Sequence, residues 1–304
     1  MKDSSFLFEP IDHSSLKYQN NVISPSSFWQ DAWQRLLQNP MAITGLATLV
    51  ILVIMAIIGP WLTSYTYYET HLSLKNEMPS KVFWFGTDEL GRDLFTRVWW
   101  GARISLFVGI TASLIDLIIG VFYGAIAGLL GGKIEEVMMR LADILYSIPY
   151  LLVVILLMVV IGPGIFTIIL ALTFTGWISM ARIVRGQILQ LRQLDFVKAA
   201  SAIGASKPRI LFQHLIPNCL GPIIITVTLT VPTAIFAEAF LSFLGLGVQA
   251  PIASWGTMAS DGLSAMRYYP WRLFFPAGFI SITMLCFNLL GDGLRDAFDP
   301  RLRR

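Results

Sequence analysis

From Ile144 to Ala181 the chain carries no charged residue for 38 positions. That exceeds the roughly 20 apolar residues needed to cross a hydrocarbon core, so the run belongs inside a membrane rather than around a water-soluble core. Gly162-Pro163-Gly164 divides it into the end of one span and the whole of the next. The two spans are expected at about Val137–Ile161, kinked at Pro149, and Ile165–Ile183. The same criterion places others at Met41–Leu62, with 22 uncharged residues, and at about Ile104–Leu130, Pro217–Phe240 and Arg272–Gly291. Six spans make an all-α polytopic membrane protein, because helices satisfy every backbone group internally in lipid.

Composition agrees and excludes other classes. Hydrophobic residues make up 55% and charged residues 13%, about half the charge content of an average soluble domain. A net charge of +3 is too small to argue for nucleic acid. Cys219 and Cys286 lie 67 positions apart in separate apolar runs. They have neither metal-ligand nor disulfide-framework spacing and read as inert buried thiols.

Residues 1–40 are expected to form a tail that ends in an interfacial helix. Residues 1–27 are Ser-rich and polar, without the basic n-region of a signal peptide. Phe28, Trp29, Ala32, Trp33, Leu36 and Leu37 then mark one helical face opposite Gln34, Arg35 and Gln38, which suits the plane of a membrane interface. A mere extension of the first span (41–63) is the simpler alternative. Residues 64–102 form a polar, aromatic loop containing FGTDELGRDLFTRVWWGAR. Its carboxylates have no neighbouring His or Cys for nucleophilic or metal chemistry, so a salt-bridged ordered loop is expected. A five-helix core occupies 103–292, with a polar connection at 184–216, and 293–304 is a charged tail.

Two carboxylates fall in the spans. Asp116 sits near the middle of the second, among Gly109, Gly120, Gly124 and Gly128, whose spacing favours close helix contacts. A bond to a neighbouring helix is its expected role, and a place on a transport pathway the alternative. Glu238 lies 21 residues after Pro217 and is expected at the outer interface in water, or else at a gate. Phe240–Ser260, broken by Gly245, Gly247 and Pro251, reads as irregular chain packed inside protein near an outer gate. Gly128–Lys133 comes near a phosphate loop, but Ala127 and Ile134 stand where Gly and Ser or Thr are needed.

Asp195–Asn218, DFVKAASAIGASKPRILFQHLIPN, is polar chain between two spans. Phe196, Val197, Ala200 and Ile203 fall on helical spacing, with Ala199 and Ala200 keeping one face small. Gly204 can end that helix, and Ser206 can cap a second one that tolerates Pro208 in its first turn. The product is a helix–turn–helix knuckle. Ala200, Gly204 and Ile210 also fit the skeleton of a DNA-reading corner, but between two membrane spans that use is implausible.

Lys198-Ala199-Ala200, Gly204, Ile216 and Pro217 resemble the EAA loop of the inner-membrane subunits of binding-protein-dependent ABC importers. Lys198 replaces the family Glu, and His214 and Ile216 replace its Ile and Leu. Gly86-Thr87-Asp88, Gly91-Arg92-Asp93 and the following RISL resemble a signature of the peptide and nickel branch. With Ser147-Ile148-Pro149, LSFLGLG and GDGLRDAFDP, the resemblance points to the C-type subunit of oligopeptide and dipeptide systems. It implies a type I importer permease fold in the bacterial cytoplasmic membrane. It also implies a second permease subunit, two ATPase subunits that carry ATP and Mg, and an extracytoplasmic binding protein. The knuckle, including Ala205, would then dock on an ATPase. The chain itself would be no enzyme and would hold no cofactor or metal.

Lys and Arg counts give the orientation: with both termini inside, 15 fall on the cytoplasmic side and 7 outside. A self-sufficient secondary transporter or channel remains the competing class. It calls for paired midplane charges and often an inverted repeat, of which the sequence shows none.

Overall fold

The computed structural model describes residues 28–298, which form helices and connecting loops. The helices are α1 (Phe28–Gln38), α2 (Pro40–Ile58), α3 (Leu94–Leu130), α4 (Gly132–Ser147), α5 (Tyr150–Ile161), α6 (Ile165–Leu191), α7 (Asp195–Ala202), α8 (Lys207–Ile210), α9 (Ile216–Asn218), α10 (Leu220–Phe243), α11 (Trp255–Ala265) and α12 (Trp271–Phe298). Among the described residues, α2 (with its 3-10 extension to Trp61), α3, α6, α10 and α12 are each long and apolar enough to cross a membrane. The polar tail at 1–27 and the last six residues lie outside the described residues.

The helix expected at the interface, α1, is separate from α2. Asn39 ends α1 and starts α2, its side chain accepting from the Met41 and Ala42 amides at 3.1 and 3.2 Å, with Pro40 in the first turn. Ala32 and Leu36 of α1 are buried; Leu36 packs with Ala42 and Ala297, while Trp29, Trp33 and Leu37 stay exposed.

The third expected span takes another form. Pro149 has no amide proton and drives Ile148 into extended backbone, so α4 and α5 meet at 78° instead of continuing through a kink. Counted as one crossing, this bent pair brings the apolar crossings to six. Salt bridges Glu135–Arg185 (2.5 Å) and Asp143–Arg182 (2.8 Å) tie α4 to α6.

The long α3 is the mast of the fold. Gly120, Gly124 and Gly128 bring its backbone against Trp177, Met180, Ala181 and Ile188 of α6, so closely that a Cβ at any of the three would overlap α6. Asp93 caps its start, accepting from the Thr96 amide and hydroxyl at 2.8 and 2.6 Å. At its far end, Arg192 donates to the Gly128 and Leu129 carbonyls at 3.0 and 3.2 Å. The Gly128–Lys133 stretch is therefore a capped helix end and the turn into α4. At 1.5 Å per residue, the 37 residues of α3 hold its two ends roughly 55 Å apart.

Candidate functional site

Four regions carry the residues singled out by sequence, and α3 touches each, with Glu238 bonded to its Ser105. The signature loop sits at its N-terminal end, the knuckle at its C-terminal end and Asp116 between them.

The signature loop is folded by its own charges. The Asp88 carboxylate accepts from the Leu90 and Arg92 amides, each at 2.9 Å, and from Arg92 Nε at 2.6 Å, and lies 3.4 Å from Arg97 Nε. The Thr87 hydroxyl donates to the Leu74 carbonyl and accepts from the Glu77 amide. Gly91 turns at φ +71° where a Cβ would overlap the His71 carbonyl; Gly86 also has positive φ. Burial pushes the Asp93 carboxyl above its ordinary range, against the Thr96 bonds that lower it. Thr87, Asp88, Arg92 and Asp93 are all buried, and Arg272 of α12 reaches Glu89 at 3.2 Å. Beside the loop, Arg92, Arg97 and Asp261 line an open cavity of about 260 Å³ with Gln249 and Thr257. Asp261 went unnoticed in the sequence because its partners are far away along the chain.

Glu238 is not solvated. The chain after α10 folds back over it, so that the position expected at the outer interface lies inside protein. The Ser105 and Ser242 hydroxyls donate to its carboxylate at 3.0 and 2.8 Å, and the side chain is fully buried. The fold-back is anchored by Trp255, whose indole donates to the Val98 carbonyl at 2.9 Å and whose amide donates to Ser105.

Among the described residues Asp116 has no bond to a neighbouring helix. Its side chain packs against Gly176 of α6, and its Oδ1 has no hydrogen-bond partner among the described residues. It lines an open cavity of about 310 Å³ between α3, α5, α6 and α10.

The knuckle is built as expected at its turn. Gly204 has φ +87°; its amide donates to the Ser201 carbonyl at 3.1 Å, and the Ala205 amide donates to Ala200 at 3.0 Å. These two bonds are the Schellman ending of a helix. Ser206 holds the N-cap position of α8 without a side-chain bond to it, and Pro208 lies in the first turn. A five-residue π turn, Leu211–Leu215, then leads through Ile216 and Pro217 into α10.

What the knuckle shows outward differs from the sequence expectation. Val197 and Ala200 are buried with Ile210, Leu211 and Leu215 against Ala125 of α3 and Met180, Val184 and Ile188 of α6. Ala200 therefore belongs to the join between knuckle and spans and is not free to dock. Lys198, Ala199, Gly204, Ser206, Pro208 and Pro217 are exposed; Ala205 and Ile216 are half-buried. Ile203, on helical spacing with the buried Val197 and Ala200, is 85% exposed at the tip. It lies beyond the last residue of α7, where helical spacing no longer decides direction. Lys198 is 3.9 Å from Asp195, an exposed pair of little energetic weight.

The knuckle is thus welded to α3 and α6 and carries an exposed Ile203. Residues 120–304 match the model of the binding-protein-dependent transport system inner membrane component. The chain belongs to this family. Residues 27–79 match a second model, the N-terminal TM domain of oligopeptide transport permease C. The chain is 57% identical over 298 residues to the oligopeptide transport system permease protein OppC of Bacillus subtilis, covering 98% of each. It is 59% identical over 287 residues to the dipeptide permease DppC of the same organism, covering 94% of this chain and 90% of that one. The Escherichia coli OppC is 46% identical over 279 residues, with 91% and 92% covered. Among solved structures, an inward-facing MetNI methionine ABC transporter chain matches with a TM-score of 0.56 at 18% identity, over 68% of this chain and 98% of that one. The fold is that of a type I ABC importer permease, and the chain is a membrane transport subunit.

Proposed function

We propose that this chain is one half of the translocation pathway of an ATP-driven importer that carries oligopeptides across the cytoplasmic membrane. Peptide cargo is supported by the close relatives, which serve oligopeptide and dipeptide systems at similar identity. The observation that carries the mechanism is the knuckle: an exposed apolar tip at Ile203, fixed through Ala200, Ile210 and Leu215 to α3 and α6. Because its core is continuous with two spans, a partner that moves the tip moves the spans as one rigid body. An ATPase closing on ATP would supply that push and bias the spans between inward-open and outward-open states. The knuckle and signature loop lie at opposite ends of a roughly 55 Å helix, which suits a cytoplasmic ATPase on one side and an extracytoplasmic binding protein on the other. Both termini are then cytoplasmic, in line with the excess of Lys and Arg on that side.

In this reading the functional unit is this chain, a second permease subunit, two ATPase subunits and the binding protein. Nucleotide and magnesium belong to the ATPases. The unpartnered Asp116 favours one rival, a proton-coupled carrier that works alone. Reconstitution in vesicles separates the two: the full complex should take up peptide on ATP, and this chain alone should not respond to a proton gradient. Uptake by the isolated chain on a proton gradient would establish the rival.

A further inference from the structure

Asp116 lies 14 residues before the end of α3, roughly 21 Å along the axis, and so deep within the span. It is 92% buried, with 8% of its surface exposed, and its Oδ1 has no partner. Tyr150, at the start of α5 beyond the Pro149 break, lines the same cavity, and its hydroxyl is also buried without a partner. A carboxylate this deep, with no cation or donor beside it among the described residues, is costly unless something in the space it lines pairs with it.

The rest of the lining says what that something is. The Thr230 hydroxyl donates to the Val227 carbonyl at 2.8 Å, and the Thr233 hydroxyl donates to the Thr230 carbonyl at 2.6 Å. Their protons are spent on backbone, which leaves lone pairs for the cavity. An ionised Asp116 also only accepts. Gly176 lies so close beneath the carboxylate that any side chain there would overlap it, so the floor is cut to fit Asp116. A set of acceptors around one buried carboxylate, with an aromatic ring at its edge, suits a compact cation with several donors.

We propose that this cavity is a subsite for the free α-ammonium group of the cargo peptide, with Asp116 as its counter-ion, Thr230 and Thr233 as further acceptors and the Tyr150 ring at its edge. The proposal rests on the peptide-permease reading above. An ammonium supplies three donors, and losing a charge-assisted bond to it should cost about tenfold or more in handling of that cargo.

The test uses the complete complex in proteoliposomes with its binding protein, and compares uptake of trialanine with N-acetyl-trialanine. Rates are normalised to the measured occupancy of each peptide on the binding protein. Wild type should favour the free amine; Asp116→Asn should reduce that preference about tenfold, and Asp116→Glu should retain most of it. Should Asp116→Asn fail to assemble, Thr233→Val decides by the same ratio, expected to fall several-fold. An unchanged ratio overturns the proposal, even if both rates fall together. Loss of the second permease subunit from Asp116→Asn on purification, with an unchanged ratio in Thr233→Val, overturns the proposal and would assign Asp116 to a cation of that subunit. Wild-type complex that takes up neither peptide on ATP overturns the permease reading itself.

Discussion

Replacing Ile203 with Asp separates docking from folding. At 85% exposure Ile203 makes almost no packing contacts within the chain, so the fold should change by no more than about 0.5 kcal/mol. Covering its side chain in a partner's cleft would contribute about 2 kcal/mol, and Asp would instead bring a carboxylate to be desolvated. Affinity for the ATPase should fall by roughly thirtyfold or more. Ala200→Arg is the opposite case: at 7% exposure, closed in by Val197, Ile210 and Leu215, it overfills a core and buries an unpaired charge. That change should cost several kcal/mol and loosen the knuckle itself. The assay is a titration of purified ATPase onto detergent-solubilised permease, read beside the thermal melt of each permease variant. Ile203→Asp should bind weakly and melt normally, and Ala200→Arg should melt early. Wild-type affinity in Ile203→Asp, or a normal melt in Ala200→Arg, would refute the assignment of outer and inner faces.

Three further expectations follow from geometry. Single cysteines at Leu72, 71% exposed, and at Ser206, in a chain lacking Cys219 and Cys286, should react with an impermeant thiol reagent from opposite sides; labelling of both in intact cells would contradict the proposed topology. Gly91→Ala meets both a positive φ and the His71 carbonyl and should destabilise the signature loop by about 3 kcal/mol, whereas Gly132→Ala, with positive φ but open space, should cost only about 1 kcal/mol. Thermal melts of the two variants rank them, and an equal loss in both would contradict the clash. Glu238→Ala removes the acceptor for Ser105 and Ser242 and should lower stability by about 1–3 kcal/mol in a thermal melt; a neutral result would mean the buried network is dispensable.

The sequence makes some of this architecture readable and hides the rest for specific reasons. Uncharged length alone marks the crossings, and Gly120, Gly124 and Gly128 mark the face of α3 that meets α6, because small residues at that spacing have no better use in lipid. Gly204 marks the knuckle's turn, because few other residues take φ +87° without strain. Pro149 signals a break but not its size, since an apolar run carries no information about direction. Glu238 misleads because counting residues along α10 gives depth and cannot foresee that the chain returns over its end, held by Trp255. Asp116 stands out as a charge in a span, but its cavity is assembled from Tyr150, Gly176 and Thr230 on three other helices. The exposure of Ile203 is hidden because helical spacing groups it with Val197 and Ala200, although it lies one residue beyond the end of the helix.

The central claim is that the tip of the knuckle is where the chain meets its motor. A photoreactive residue at position 203, irradiated in intact cells that express the native complex, tests it in one step. The predicted product is a covalent adduct between this chain and an ABC ATPase subunit, and its yield should change when ATP is trapped on the complex. If position 203 captures no ATPase while the same probe at an exposed position elsewhere on the chain does, the knuckle is not the docking site.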